Sequence, residues 1–328
     1  MNLNENPFVE QRYYRYPDAS YTEIRNLLRE KYDLKSADVL LGNGSTEIIS
    51  SIFLWAHLQK KKIVYPWPSY ILYHELKQLY DADVTPIPMD IESWDVDTII
   101  SAVPENSLLI LCNPNNPTGT FLKKGTAVEI ISKLPTSTTI LIDEAYIEYV
   151  DDDEINGMVN EVEKYTNLIV VRTFSKYYGL AGLRIGYALL SKEFYQCVRP
   201  FLQLWNVSLP AVEAAIDCLS SSPRYLHGKQ IMIKSREHLR KTLCKNGFHV
   251  LPSETNFLCF THPKIRYYVD YWEYKGLIVN KLTFYQNSQL HGYIRMSIED
   301  DDVMESLYQT IYEIRGSYEK VSNIVNTV

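Results

Sequence analysis

The chain has 328 residues, of which 46% are hydrophobic and 22% charged, with a net charge of −7. That length favours about two domains, and no apolar run approaches the roughly 18 to 20 residues of a membrane span. An acidic balance leaves no basic face to displace counterions from DNA or RNA, so a small-molecule ligand is expected and a nucleic-acid partner is not.

The N-terminal stretch Met1 to Pro7 has neither the basic n-region nor the apolar h-region of a secretory leader, so the cytoplasm is the expected location. From there β-branched runs at Val39 to Leu41, Ile63 to Tyr65, Val84 to Ile87, Leu108 to Cys112, Thr139 to Ile142, Leu168 to Arg172 and Arg184 to Leu190 read as strands. Helical stretches at Ser45 to Leu58, Tyr70 to Tyr80, Lys192 to Leu204 and Ala211 to Leu219 alternate with them. This rhythm predicts an α/β fold: a mostly parallel sheet with helices on both faces. The pattern changes near residue 224. A charged helix at Tyr225 to Lys245 precedes short strands at Phe248 to Pro252, Asn256 to Phe260, Leu277 to Asn280 and Tyr293 to Ser297, and a helix at Val303 to Arg315 closes the chain. We therefore expect a large domain over residues 33–224 and a smaller α+β domain built from 225–328 and joined by 1–32.

The five cysteines are scattered and form no C-x-x-C pair, which argues for reduced packing residues rather than a disulfide framework or zinc site. The acidic runs Asp151 to Glu154 and Glu299 to Asp302 lack the glycine and spacing of a calcium loop and read as a solvated loop and an acidic helix start. The 26 tyrosines, each an apolar body with a polar tip, suit pocket walls or an interface.

Four stretches carry chemistry. Gly42-Asn43-Gly44-Ser45-Thr46-Glu47 follows a strand and opens a helix, offering free N–H groups to a phosphate. It lacks the ending of a P-loop and the third glycine of a dinucleotide fingerprint, and by itself it equally fits a turn capped by Ser45. Asn113-Pro114-Asn115-Asn116-Pro117-Thr118-Gly119 is a stiff loop after an apolar strand, where open α/β sheets bind ligands. Asp143-Glu144-Ala145-Tyr146 places a carboxylate at the end of a buried strand, where it needs a cap, a lysine or a protonated pyridine as partner. Arg172-Thr173-Phe174-Ser175-Lys176, with Arg184 further on, combines an amine nucleophile with phosphate ligands.

In this order and spacing the four stretches resemble the histidinol-phosphate aminotransferase branch of the fold type I enzymes that use pyridoxal 5'-phosphate (PLP). The likeness runs from Asn2-Leu3-Asn4-Glu5-Asn6-Pro7 and Arg15-Tyr16-Pro17-Asp18 to Tyr293-Ile294-Arg295-Met296-Ser297. It implies a PLP-dependent aminotransferase with a seven-stranded, mostly parallel sheet in its large domain. By the resemblance Lys176 forms the Schiff base with PLP and then serves as the base. Asp143 pairs with the ring nitrogen, Tyr70 stacks on the ring, and Asn116 and Tyr146 reach its phenolic oxygen. The phosphate lies on Gly44, Ser45 and Thr46, with Thr173, Ser175 and Arg184 around it. Tyr16 reaches the phosphate of a neighbouring subunit, which implies a homodimer. Arg295 clamps the anionic end of the substrate, with Asn116, Asn280 and Asn6 on the substrate side. The partners are then an amino donor and a keto-acid acceptor.

The chain departs from the pattern at Asn280, where the family carries a second anion-binding arginine, with Lys281 beside it. A lost guanidinium weakens binding of a dianionic phosphate more than of a carboxylate, so a carboxylate substrate is expected in place of histidinol phosphate. The N-terminus begins at the substrate-side Asn-Pro segment, so either substrate closure differs or the sequence starts late, and the absence of a glycine after Arg295-Met296-Ser297-Ile298 reads as a helix-entry variation. Two rivals remain: a decarboxylase or cyclising lyase on the same scaffold, similar to threonine-phosphate decarboxylases, and a binding or regulatory protein that has kept the fold.

Overall fold

A computed structural model describes residues 3–6, 8, 12–150, 154 and 157–325. Asp151 to Asp153 of the first acidic run, and Asn2 and Pro7 of the N-terminal likeness, lie outside the described residues. In chain order the elements begin with α1 (Thr22–Lys31), β1 (Asp38–Gly42), α2 (Gly44–Leu58), β2 (Lys62–Trp67), α3 (Leu72–Tyr80), β3 (Val84–Pro88) and α4 (Val96–Ala102). There follow β4 (Ser107–Cys112), α5 (Lys124–Lys133), β5 (Thr139–Asp143), β6 (Leu168–Thr173), β7 (Gly186–Leu190), α6 (Lys192–Val198) and α7 (Leu209–Ser220). The remainder is α8 (Ser222–Lys245), β8 (His249–Val250), β9 (Phe257–Thr261), α9 (Ile265–Tyr274), β10 (Ile294–Ser297) and α10 (Asp301–Val325).

Seven strands form one sheet in the order β1-β7-β6-β5-β4-β2-β3, parallel except for β7, which runs against both neighbours. Side chains alternate across a strand, so the uninterrupted apolar runs feed two cores. Leu109, Leu111, Ile140 and Ile142 face one core with α1, α4, α5 and α7, while Leu108, Ile110 and Leu141 face another with α2, α3 and α6. The three-stranded antiparallel sheet β10-β9-β8 builds a third core with α8, α9 and α10 around the fully buried Trp272. Among the described residues no helix is long and apolar enough to cross a membrane.

The structure differs from the sequence reading in several places. Helix α1 packs on the large sheet, with Ile24 and Leu28 in the same core as Val39 and Leu41, so residues 22–31 belong with the larger body and not the smaller one. Amphipathic burial decides this, because its apolar stripe needs the sheet beside it. The helix at residue 192 ends at Val198 because Pro200 has no N–H to continue it, and a 3-10 turn follows. The strand expected at Leu277 to Asn280 is a single bridge between Asn280 and Arg295, since the Asn280 side chain accepts the Leu282 N–H and turns the chain. Helices α1, α4, α5 and α9 are not among those expected; the tyrosines and tryptophan of α9 are poor helix formers, and burial of Tyr268, Val269 and Trp272 holds it.

Candidate active site

The carboxyl ends of the parallel strands open on a pocket of about 270 Å³. Its anion-binding end is made by close backbone approach. Gly42 pairs with Gly186 across β1 and β7, and a Cβ at Gly186 would meet the Ser45 nitrogen at 2.5 Å. Gly44 has φ +73°, and a Cβ there would sit 2.7 Å from Arg184 Nη2. Glycine at both positions therefore lets the first turn of α2 lie against β7 and under the Arg184 guanidinium. Ser45, Thr46, Thr173, Ser175 and Arg184 line this end together, a helix N-terminus plus a cation and hydroxyls. Arg184 itself is in the left-handed region (φ 54°), so the expected strand starts two residues later at Gly186.

The loop after β4 is locked by its own asparagines. Asn113 Nδ2 donates to the Leu122 carbonyl at 2.8 Å and its Oδ1 accepts the Leu122 N–H at 2.7 Å. Asn115 Nδ2 donates to the Pro68 carbonyl and to Thr118 Oγ1, while its Oδ1 accepts from Ser69 Oγ. Asn116 is left to face the pocket, where its Oδ1 accepts from Arg295 Nη1 at 2.6 Å.

The adjacent carboxylates Asp143 and Glu144 point to opposite sides of the sheet and meet opposite fates. Glu144 is fully buried and paired with Arg172, Oε2 lying 2.8 Å from Nη2, and the Met158 N–H donates to its other oxygen. Asp143, also buried, faces the pocket and is held by neutral donors: Tyr73 Oη at 2.9 Å and the Ala145 N–H at 3.2 Å. Burial raises its pKa to about 6, against the lowering pull of those two hydrogen bonds and the charge of Lys176.

Lys176 stands in the turn after β6 with its side chain exposed through the pocket mouth and its Nζ 5.7 Å from the centre of the Tyr146 ring. Partial desolvation against the pocket wall lowers its pKa, and the charges of Arg295 and Arg184 lower it further. Such an amine gives up its proton more readily than a surface lysine. Tyr146 and Arg295 reach the same pocket, both resting on Phe257. Tyr70 forms the remaining wall and meets Tyr73 edge-on at 5.7 Å.

The structure thus gathers Gly44, Ser45, Thr46, Tyr70, Asn116, Asp143, Tyr146, Thr173, Ser175, Lys176, Arg184 and Arg295 at one place. Three predicted residues stand apart. Asn6 is exposed, and its Oδ1 accepts the Phe8 N–H. Tyr16 is 51% exposed and packs on Trp205 at 4.5 Å along a separate groove. Asn280 is exposed beside a cavity of about 610 Å³ on the smaller sheet, and Lys281 Nζ is paired with Glu273 at 2.7 Å. Sequence reasoning missed Cys112 and Tyr73; the latter was signalled by its place one helical turn after Tyr70.

A doubly covered, mostly parallel sheet with a lysine, a carboxylate and an anion site at its carboxyl edge defines an α/β transferase of the kind that holds a phosphorylated cofactor. The chain belongs to the class I and II aminotransferases: the family model "Aminotransferase class I and II" matches residues 9–311. It is a PLP-dependent aminotransferase. Histidinol-phosphate aminotransferase 2 of Archaeoglobus fulgidus is 33% identical over 96% of this chain and 92% of its own. An aromatic amino acid aminotransferase of Cutibacterium acnes is 32% identical over 79% of this chain and 77% of its own. The fold matches that of histidinol-phosphate aminotransferase from Sinorhizobium meliloti in complex with pyridoxal-5'-phosphate, with a TM-score of 0.81, 24% identity and coverage of 92% of this chain and 84% of that one.

Proposed function

We propose that the pocket holds PLP and exchanges the amino group of a small amino acid bound through its carboxylate. The supporting observation is that Asp143 and Lys176 flank one pocket with a built anion site at one end and Arg295 at another. That donor set fits PLP. Arg184 and the first turn of α2 suit a phosphate, Tyr70 a ring face, and Asn116 and Tyr146 a phenolic oxygen. Asp143, held only by neutral donors, suits a protonated ring nitrogen. When bound, the cofactor supplies an aldehyde for amine exchange and an electron-withdrawing ring. Lys176 is the point of covalent attachment through its amine, and its Nζ then takes up the proton leaving the substrate carbon. Arg295, aligned by Asn116 Oδ1, offers the substrate carboxylate a planar two-pronged donor.

The substrate end carries Arg295 and no second guanidinium at position 280, where the Asn280 Oδ1 accepts the Leu282 N–H. Lys281, engaged with Glu273, does not replace it. A monoanionic carboxylate matches this charge better than a phosphate dianion, and the acceptor is a keto acid. We further infer a homodimer in which the exposed Tyr16 reaches the phosphate site of a second copy, and a division into a large cofactor domain and a smaller substrate-side domain.

Steady-state rates with 2-oxoglutarate and a panel of amino acids, compared with histidinol phosphate, test the reading. Amino acids should exceed histidinol phosphate in kcat/KM by about tenfold or more. A strong preference for histidinol phosphate would overturn the carboxylate reading. Carbon dioxide release without glutamate formation would move the chain to the decarboxylases of this fold.

A further inference from the structure

We propose that Tyr73 is a positioning residue for the reaction, its hydroxyl fixing the Asp143 carboxylate so that the charge faces the pocket. This rests on the reading of Asp143 as partner of the cofactor's ring nitrogen. Tyr73 is fully buried at the start of α3, and its Oη donates to Asp143 Oδ2 at 2.9 Å. The Ala145 N–H donates to Oδ1 at 3.2 Å, so each carboxylate oxygen has its own fixed donor and the group cannot swing. The Tyr73 ring is itself held edge-on between Tyr65 at 5.5 Å and Tyr70 at 5.7 Å. One side chain therefore ties the pocket's aromatic wall to its carboxylate.

The chemistry of the donor matters as much as its place. Phenylalanine would fill this apolar core without the desolvation of a phenol, so the hydroxyl needs a purpose other than packing. A cation in its position would neutralise Asp143, as Arg172 neutralises Glu144, and would compete with a protonated ring nitrogen. A neutral phenol orients the carboxylate and leaves its charge available. Burial and the nearby Asp143 charge push the Tyr73 pKa far above its ordinary value, so it remains a donor. The other titratable groups around Asp143 are Cys112, kept as a neutral thiol by burial, the pocket phenols of Tyr70 and Tyr146, both pushed up by burial, Glu144 on the far side of the sheet, and Lys176 across the pocket.

The test compares Tyr73→Phe with Tyr65→Phe, which removes a hydroxyl from the same cluster, 3.5 Å from His74 Nδ1 and away from Asp143. Cofactor dissociation constants of the apoenzymes, absorbance of the bound cofactor against pH, kcat and the apoenzyme melting midpoint are measured. Tyr73→Phe should weaken cofactor binding and lower kcat about tenfold each, and should shift the pH midpoint of the absorbance, with a melting midpoint like that of Tyr65→Phe. Equal cofactor affinity and equal spectra for the two variants would overturn the proposal. Asp143→Asn separates the two levels. If it binds cofactor like the wild type, the reading of Asp143 fails; if it binds weakly while Tyr73→Phe matches Tyr65→Phe, the role of Tyr73 alone fails. Should Tyr73→Phe not fold, 3-fluorotyrosine at position 73 keeps the shape and strengthens the donor. The absorbance midpoint should then move away from that of the wild type, and an unmoved midpoint would sink the idea.

Discussion

The two ends of the pocket are built in different ways. At the carboxyl edge of the large sheet, side chains are set by fully buried strands, by glycines that allow backbone contact and by asparagines that brace their own loop. On the smaller sheet, Arg295 projects from a short strand whose neighbour across Asn280 is one bridge, and Ile278 beside it is 91% exposed. Rigid support suits a cofactor that stays through many turnovers, whereas a lightly held edge can change with the substrate. The comparison teaches that residues on the large sheet should govern cofactor affinity and residues on the smaller sheet substrate choice.

The largest expected effect is at the junction of the two ends. Lys176→Ala should lower kcat by about a thousandfold or more in a folded protein, read by steady-state assay beside a circular dichroism spectrum. Next is a pH effect confined to the large sheet. In the apoenzyme the Asp143 pKa is raised to about 6 from an ordinary 3.8, so the native state holds a proton that the unfolded chain has already lost. The contribution of this group is thus most favourable below about pH 4, declines as pH rises towards 6 and is then level, a change on the order of 3 kcal/mol. Denaturant melts of the apoenzyme across that range should show the decline, and Asp143→Asn should flatten it relative to the wild type.

Arg295→Gln and Arg184→Gln then set the ends against each other. The first should raise KM for the amino donor by about 10- to 100-fold with cofactor affinity little changed, and the second should mainly weaken the cofactor. If both variants lose cofactor alike, the division between the ends is broken. The smallest effect is a gain: Asn280→Arg should improve kcat/KM for histidinol phosphate by about tenfold while leaving cofactor affinity untouched.

Much of the large-sheet end was legible in the residues themselves. Short β-branched runs marked the seven strands, and Asn113 to Gly119, Asp143 to Tyr146 and Arg172 to Lys176 each sit where a strand ends. The smaller end was harder. Leu277 to Asn280 has the β-branched composition of a strand, yet with a single backbone pair and a side chain that captures Leu282 N–H it does not form one. Helix α1 has a clear apolar stripe, but nothing local says which core that stripe will cover.

The sequence by itself determined the alternation of strands and helices and which residue types stand at the strand ends, because these follow from side-chain periodicity and turn chemistry within a few residues. Tertiary structure decided the partners. It sent Glu144 to Arg172 and Asp143 to Tyr73, residues far apart in the chain, because consecutive side chains leave a strand on opposite faces and each face is closed by a different set of helices.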